Sequence, residues 1–290
     1  MPELAVAFVV REKFGWALAA LRRLYAHTGE PFRLYFVDPG YPPAVCKEID
    51  SFLEGRDVVR IKLPGFAFPN EQMNAVLPRV AEPWLAIFKN DTLVAPRWLE
   101  LLRESCARHQ AAVAFPMLQE TRDGEVILHR DLMTRMVFTE VGGRLDVLRL
   151  AKEGELPIDA DGVHKVHLVE THGLLYRTEV ARGLWPLPLI SARNHLDISI
   201  NLWRRGITVV HDPRVVMTSV FPPIRDYDLS FFKQRWDQHA AYESHVYIHR
   251  RWGVVKVPNA LPFIRDHLEY AQHERVQRNY ASPSEQDIYP

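Results

Sequence analysis

The chain predicts an α/β protein built on a mostly parallel sheet flanked by helices, with a helical C-terminal extension. Three observations carry this. Short apolar runs alternate with amphipathic helical stretches through the first half, the pattern that puts parallel strands under crossover helices. Hydrophobic residues are 47% and aromatics 11% of 290 residues, enough to bury a substantial core. The stretch from Trp84 to Leu102 passes abruptly from apolar strand to polar cluster to amphipathic helix, and open α/β sheets hold ligands at such strand ends.

The elements follow in order. Leu4–Val10 is a strand; it has no basic leader, is too short to span a bilayer and runs into Arg11, Glu12 and Lys13, so a first core strand is expected. Trp16–His27 is a helix with Leu18, Leu21, Leu24 and Tyr25 on one face, stopped by Gly29 and Pro31. Arg33–Val37 is a strand ending in Asp38, Pro39 and Gly40, Pro43–Leu53 a helix, Val58–Leu63 a strand, and Asn70–Val80 a helix. Leu85–Phe88 is a buried strand broken by Lys89, Asn90, Asp91 and Thr92. Pro96 then suits a first turn, and Trp98–His109 is a helix with an apolar stripe. Ala111–Pro116 is another strand.

Leu118–Lys165 has mixed charge, Gly142, Gly143 and Gly154 and weak periodicity, and reads as inserted hairpin, helix and loop. Val166–Arg177 reads as a strand and Thr178–Gly183 as a helical turn. His195–Arg205 is a helix closed by Gly206, and Ile207–Val210 and Val215–Ser219 are strands around Pro213. The expected organisation is a sheet domain over 1–225, with halves 1–117 and 118–225, and a helical extension with a polar tail over 226–290.

Basic and acidic residues both total 36, so no global basic field exists to hold nucleic acid. Cys46 and Cys106 alone provide neither a disulfide framework nor a Cys-rich zinc site, which fits a reducing compartment and a cytoplasmic protein. Aromatics and Arg interleave from Phe231 to Trp252. That pattern stacks on sugars or meets lipid headgroups, or else packs a helix on the sheet with its Arg residues in solvent. Peripheral membrane attachment and a homodimer are both compatible with it.

The residues Lys89-Asn90-Asp91-Thr92, with Pro96, Trp98 and Leu99 behind them, resemble the sugar-nucleotide motif of inverting family-two glycosyltransferases with the GT-A fold. That motif commonly reads D-N-D-T followed by Pro, Trp and Leu. The resemblance covers roughly the first 220 residues and implies a GT-A-like sheet, a nucleoside diphosphate sugar as donor, and a glycan, lipid-linked or small-molecule acceptor. Asp91 matches the last carboxylate, which implies a Mg²⁺ or Mn²⁺ ion bridging to the diphosphate. Lys89 stands at the first acidic position, where an ammonium would meet a phosphate itself and repel a cation. A family His on the late strand falls near Thr218 and is missing.

By the same resemblance Arg11 belongs to the loop facing the base, Asp38 to the group that accepts from base or ribose, and Asn74 to the ordering of the nucleotide loop. Glu170 and His172 line the sugar and acceptor site. Asn194 and His195 fall on the pair that opens the base helix, with Asp197 as the retained acid, so the proton acceptor is Asp197 or His195. The residues alone leave other roles open: an Asx turn at Asp38, a helix cap at Asp91, an N-cap at Asn194 and dipole compensation at Asp197. A non-catalytic sugar-nucleotide or glycan binding protein is the rival reading. A nucleotidyltransferase would show a Gly-rich basic loop after the first strand, which is absent.

Overall fold

The computed structural model describes residues 2–122, 125–128, 134–142, 144–185, 190–220, 224–254, 261–272 and 276–277. Its first half follows the expected alternation: β1 (Leu4–Val9), α1 (Ala17–His27), β2 (Phe32–Asp38), α2 (Pro43–Leu53), β3 (Val58–Lys62), α3 (Pro69–Val76) and β4 (Trp84–Lys89). Here β3, β2, β1 and β4 are neighbours in that order, all parallel. The chain crosses from the β2 side of β1 to the β4 side, so the carboxyl ends of β1 and β4 flank a topological switch point, where α/β sheets place ligands.

Alternation along β1 builds the two layers. Leu4, Val6 and Phe8 enter a core with Leu18, Leu21 and Leu24 of α1 and Ile49 of α2. Ala5, Ala7 and Val9 face the opposite layer with Met73 and Val76 of α3. Phe8 stacks on Phe36 and Phe88 at centroid distances of 5.7 and 5.9 Å, a ladder across β2, β1 and β4. Each such buried ring contributes roughly 1.5–3 kcal/mol.

Beyond β4 the sheet becomes mixed. A short β5 (Thr92–Val94) precedes α4 (Trp98–His109), whose Trp98 indole donates to Thr28 Oγ1 at 2.9 Å. β6 (Val113–Arg122) continues past the expected end at Pro116 and pairs with β7 (Glu125–Leu128). The insertion is strand material among the described residues, with a hairpin of β8 (Met136–Val141) and β9 (Arg144–Leu150), then β10 (His164–Lys165).

The expected strand over 166–177 shortens to β11 (Gly173–Arg177), antiparallel to both β4 and β6. Residues before it leave regular pairing to bury Glu170, Thr171 and His172. After α5 (Thr178–Ala181) comes α6 (Asn194–Arg204), closed by Gly206 at φ +66° as expected. The two expected strands around Pro213 are one strand, β12 (Val209–Val220), with a register shift between Asp212 and Val216 that absorbs the proline. The extension is β13 (Ile224–Arg225), α7 (Leu229–Arg235), α8 (Gln238–Trp252) and α9 (Leu261–Gln272). Within the expected polar tail, β14 (Val276–Gln277) pairs with β13; residues 278–290 lie outside the described residues. No helix among the described residues is long and apolar enough to cross a membrane.

Two expected outcomes follow from this packing. A Cβ built on Gly173 would stand 2.1 Å from Met217 Sδ and 2.5 Å from its Cε, and Met217 is fully buried. Gly173→Ala is expected to cost about 1–3 kcal/mol in denaturant unfolding. Trimming Met217 to Ala in the same chain should then add less than the sum of the single changes. On β12, His211 is buried between Phe115 and His164, and burial followed by the His164 charge lowers its pKa to about 3. The unfolded chain binds this proton at about 6.5 and the folded one does not. The stabilisation from this neutral ring is therefore complete above pH 6.5 and is lost as pH falls toward 3. His211→Asn should remove on the order of 2 kcal/mol of the loss between pH 7 and 4.5, read from urea midpoints; an unchanged slope would refute the assignment.

Candidate active site at the switch point

The loop after β1 and the turn after β4 are bound into one unit. Asn90 is fully buried; its Oδ1 accepts the Arg11 N–H at 2.9 Å, and its Nδ2 donates to the Lys13 carbonyl. Below them Gln72 of α3 closes a two-way bridge to Val10, accepting its N–H at 2.7 Å and donating to its carbonyl at 2.8 Å. A third bond from Gln72 Nε2, to the Ala67 carbonyl at 2.9 Å, ties in the loop before α3. The sheet brings the strands together, and these amides set the loops that carry the charges.

Those charges are buried. Arg11 donates to Asp91 Oδ2 and Ser219 Oγ, both at 3.4 Å, and its Nε lies 3.0 Å from Glu12 Oε1. Asp91 is 3% exposed, and its Oδ1 has no hydrogen-bond partner among the described residues. Burial raises its pKa against the opposing pull of Arg11. Lys89 is 5% exposed and donates to Thr171 Oγ1 at 3.3 Å; burial, then Arg11, lowers its pKa to about 7. Burial also lowers Lys13, to about 8. Glu170 Oε1 accepts the Thr171 N–H at 2.6 Å and lies 2.6 Å from His172 Nδ1. Burial, with the Arg11 and Lys89 charges, holds His172 well below the usual range, so its ring is neutral and Nδ1 carries the proton toward Glu170.

A cavity of about 50 Å³ lies among these groups, lined by Arg11, Lys89, Glu170, Thr171 and His172 on one side and by Arg193, Asn194, His195, Arg235 and Trp236 on the other. A far larger cleft of about 960 Å³ lies at the opposite end of the strands, beside Glu3, Trp84 and Arg177. Volume favours that cleft, but the convergence of buried charge and the strand-end rule favour the small one. The small cavity is roofed by the extension. Phe14 N–H donates to Asp228 Oδ1 at 2.8 Å, the Lys13 ammonium lies 5.8 Å from the Phe232 ring, and a Cβ on Gly15 would come within 2.8 Å of the Tyr227 hydroxyl.

The expected site residues divide between those at the cavity and those away from it. Arg11, Lys89, Glu170, His172 and His195 line it, with Asn90 and Asp91 directly behind. Asp38 ends β2 with Oδ1 accepting from Gly40 and Tyr41 N–H at 3.1 and 3.0 Å and Oδ2 accepting from Arg60 at 3.1 Å, an Asx-type turn. Asn74 is partly buried on α3 and does not line the cavity. Its helix neighbour Asn70 instead accepts from Asn194 Nδ2 at 3.3 Å and donates to the Ile190 carbonyl at 2.5 Å.

On α6, Arg193 is the N-cap at φ +61°, and Asn194 begins the helix with Oδ1 accepting the His195 N–H at 2.9 Å. Asp197 is fully buried and does not line the cavity. Its Oδ1 accepts the Trp252 indole N–H at 2.7 Å and its Oδ2 lies 3.2 Å from Arg251. Burial raises its pKa, opposed by those two partners. Thr218, at the position of the missing His, accepts from Gln119 Nε2 at 2.8 Å.

Gln72 and Arg235 were not anticipated from sequence, and Lys13, Thr171 and Ser219 only as neighbours of the expected site residues. Arg235 belongs to the aromatic and Arg-rich stretch for which one of the two expected readings put the Arg residues in solvent. It is half-buried at the cavity, donates to the Ser191 carbonyl at 2.6 Å, and burial lowers its pKa to about 10. The interleaving of Phe231, Phe232 and Trp236 around it was the available signal.

For a divalent cation, Asp91 Oδ1 is the fitting donor, a buried carboxylate oxygen without a hydrogen-bond partner among the described residues. Among the described residues no three His, Cys, Asp or Glu side chains gather to hold an ion. An ion at Asp91 would complete its shell with phosphate oxygens and water, as Mg²⁺ commonly does.

No protein-family model and no curated protein matches the sequence. Solved structures do match in fold. GalNAc-T7 with UDP, GalNAc and Mn²⁺ superposes over 93% of this chain at TM-score 0.62 and 13% identity; the chain spans 56% of that protein's length. A Pyrobaculum calidifontis mannosyltransferase in complex with GDP-Man and Mn²⁺ covers 94% of this chain and 76% of its own at TM-score 0.57 and 13% identity. Residues 1–349 of S. aureus TarS in complex with UDP cover 92% and 80% at TM-score 0.55 and 10% identity. With its parallel β3-β2-β1-β4 half, its mixed continuation and its buried charges at the β1–β4 switch point, the chain has the GT-A fold, the fold of these glycosyltransferases.

Proposed function

We propose that the chain is a nucleotide-sugar-dependent glycosyltransferase that transfers a sugar from a nucleoside diphosphate to an acceptor hydroxyl with inversion. The observation that carries this is the burial of Arg11, Lys89, Asn90 and Asp91 together at the carboxyl ends of β1 and β4. Burying three charged side chains there serves no packing purpose that apolar residues would not serve better. Their arrangement suits an anionic diphosphate, with Arg11 and Lys89 as donors. Asp91, through Oδ1, would hold the Mg²⁺ or Mn²⁺ ion accompanying it, which supplies charge neutralisation on the leaving diphosphate. The GalNAc-T7, TarS and mannosyltransferase neighbours, with UDP or GDP-sugar ligands, support this donor class.

On the other side of the cavity, His195 in the first turn of α6 is the proposed base, because it lines the space and Asp197 does not. Its imidazole would take the acceptor hydroxyl's proton as the sugar carbon is attacked opposite the phosphate. Asp197, held by Trp252 and Arg251, orients that turn from behind. Glu170 sets the tautomer of His172, which presents Nε2 as an acceptor toward a sugar or acceptor hydroxyl. The cavity of about 50 Å³ is smaller than the roughly 300–1,000 Å³ of ligand sites, so donor entry requires the Asp228–Trp236 segment to shift. A non-catalytic sugar-nucleotide binding protein is the second reading, favoured by the Arg11 bond already formed to Asp91.

Calorimetric titration with UDP and GDP in Mn²⁺ tests the donor site. Asp91→Ala is expected to weaken binding in Mn²⁺ by about two- to threefold while thermal unfolding stays cooperative; unchanged affinity would remove Asp91 from the site. His195→Gln should leave nucleotide affinity within about twofold and slow release of nucleoside diphosphate from its sugar donor by about 10²–10⁴. Turnover equal to wild type in that variant would exclude His195, and donor binding without any turnover across a donor and acceptor panel would favour the non-catalytic reading.

A further inference from the structure

We propose that Lys89 and Arg11 form a cationic seat that binds the donor's phosphates without a divalent ion, the ion at Asp91 adding only a further increment; this rests on the nucleotide-sugar reading above. Lys89 leaves β4 opposite Val9 and reaches the cavity with its ammonium buried. An ammonium has three N–H donors, and among the described residues one is met, by Thr171 Oγ1 at 3.3 Å. A buried cation with donors to spare and one long bond is arranged for a guest that accepts hydrogen bonds.

The cavity's charge points the same way. Arg11, Lys89, Arg193 and Arg235 line it, against the single carboxylate Glu170. Glu170 is engaged with the Thr171 N–H and the His172 ring. Asp91 stands behind Arg11, whose guanidinium lies between that carboxylate and Ser219. A metal ion entering alone would meet one carboxylate oxygen at Asp91 and the repulsion of Lys89 and Arg11. A diphosphate entering alone would meet charge-assisted donors from both. The lining is therefore suited to an anion more than to a cation.

The two charges also differ in what they can do. Arg11 is fixed by Glu12, Asp91 and Ser219 and acts as a rigid donor. Lys89 carries its charge on a flexible stem and can follow the phosphate. Replacing Lys89 by Asp would set two carboxylates two residues apart at this strand end, and an incoming diphosphate would then need an ion between itself and them.

Titration calorimetry with UDP and GDP, each in Mn²⁺ and in EDTA, is the test, run on the full chain and on Lys89→Gln and Lys89→Asp, with thermal unfolding confirming that each folds. The expected result is a wild-type affinity that changes less than about threefold on chelation. Lys89→Gln should then bind at least about tenfold more weakly in EDTA, and Lys89→Asp should bind in Mn²⁺ and not in EDTA. Wild-type binding that vanishes in EDTA, with Lys89→Gln unaffected in Mn²⁺, would overturn the proposal and leave the donor-site reading standing. No binding of either nucleotide by the wild type in either condition would overturn both.

Discussion

The candidate site depends on one buried amide. Asn90 follows the last residue of β4, and its side chain holds the backbone of the neighbouring loop at Arg11 and Lys13, one bond to each. Fully buried, it has no water to replace those bonds, so losing either leaves an unpaired polar group at about 1–3 kcal/mol. Because β1 and β4 are parallel neighbours, their carboxyl ends already lie side by side, and the Asn90 N–H bonds the Val9 carbonyl at 3.1 Å. The side chain converts that adjacency into a defined loop, and the loop in turn aims Arg11 at Asp91.

Around this tie the protein keeps an unusual density of charge out of water. Arg11, Lys13 and Lys89 are buried with Glu12, Asp91, Glu170 and Asp228 in one region. Such groups persist only where each is neutralised or hydrogen-bonded, and replacing a balanced set by apolar residues is often stabilising. Stability therefore does not explain the cluster. The directions of the pKa shifts fit this view, since burial moves Lys89, Lys13 and Asp91 each toward its uncharged form and neighbouring charges only partly oppose it. An arriving diphosphate would meet the cationic side chains that line the cavity itself, Arg11, Lys89, Arg193 and Arg235.

The GT-A likeness persists at 10–13% identity because the sheet asks little of particular residues. β1 needs period-two apolar residues of suitable size on two faces, which Leu4, Val6 and Phe8 and then Ala5, Ala7 and Val9 supply. Residues at strand ends are freer to change once the sheet is formed. The cationic Lys89 and the non-acidic Asn194 are differences of that kind, placed on a common frame.

Much of this protein was legible in its sequence because the signals were local. Apolar periodicity marked β1, α1, β2, α2, β3, β4 and α4, and Gly206 marked the end of α6. The polar break at Lys89, Asn90 and Asp91 marked a strand end that the sheet places at its switch point. Tertiary structure decided what depends on partners distant in the chain. The joining of two expected strands into β12 follows from pairing with β6, and the shortening of β11 from burial of Glu170, Thr171 and His172 in irregular backbone. The Asx turn of Asp38 with Gly40 and Tyr41 was one of the roles its own neighbourhood left open, but the bond from Arg60 to Asp38, and the occupation of Asp197 by Trp252 and Arg251, could not be read locally. The arrival of Arg235 at the same cavity as Lys89 joins residues about half the chain apart. Local spacing sets which face of an element is apolar and where it stops; which polar groups then meet is set by how the elements pack, and a carboxylate's chemistry belongs to the groups it meets.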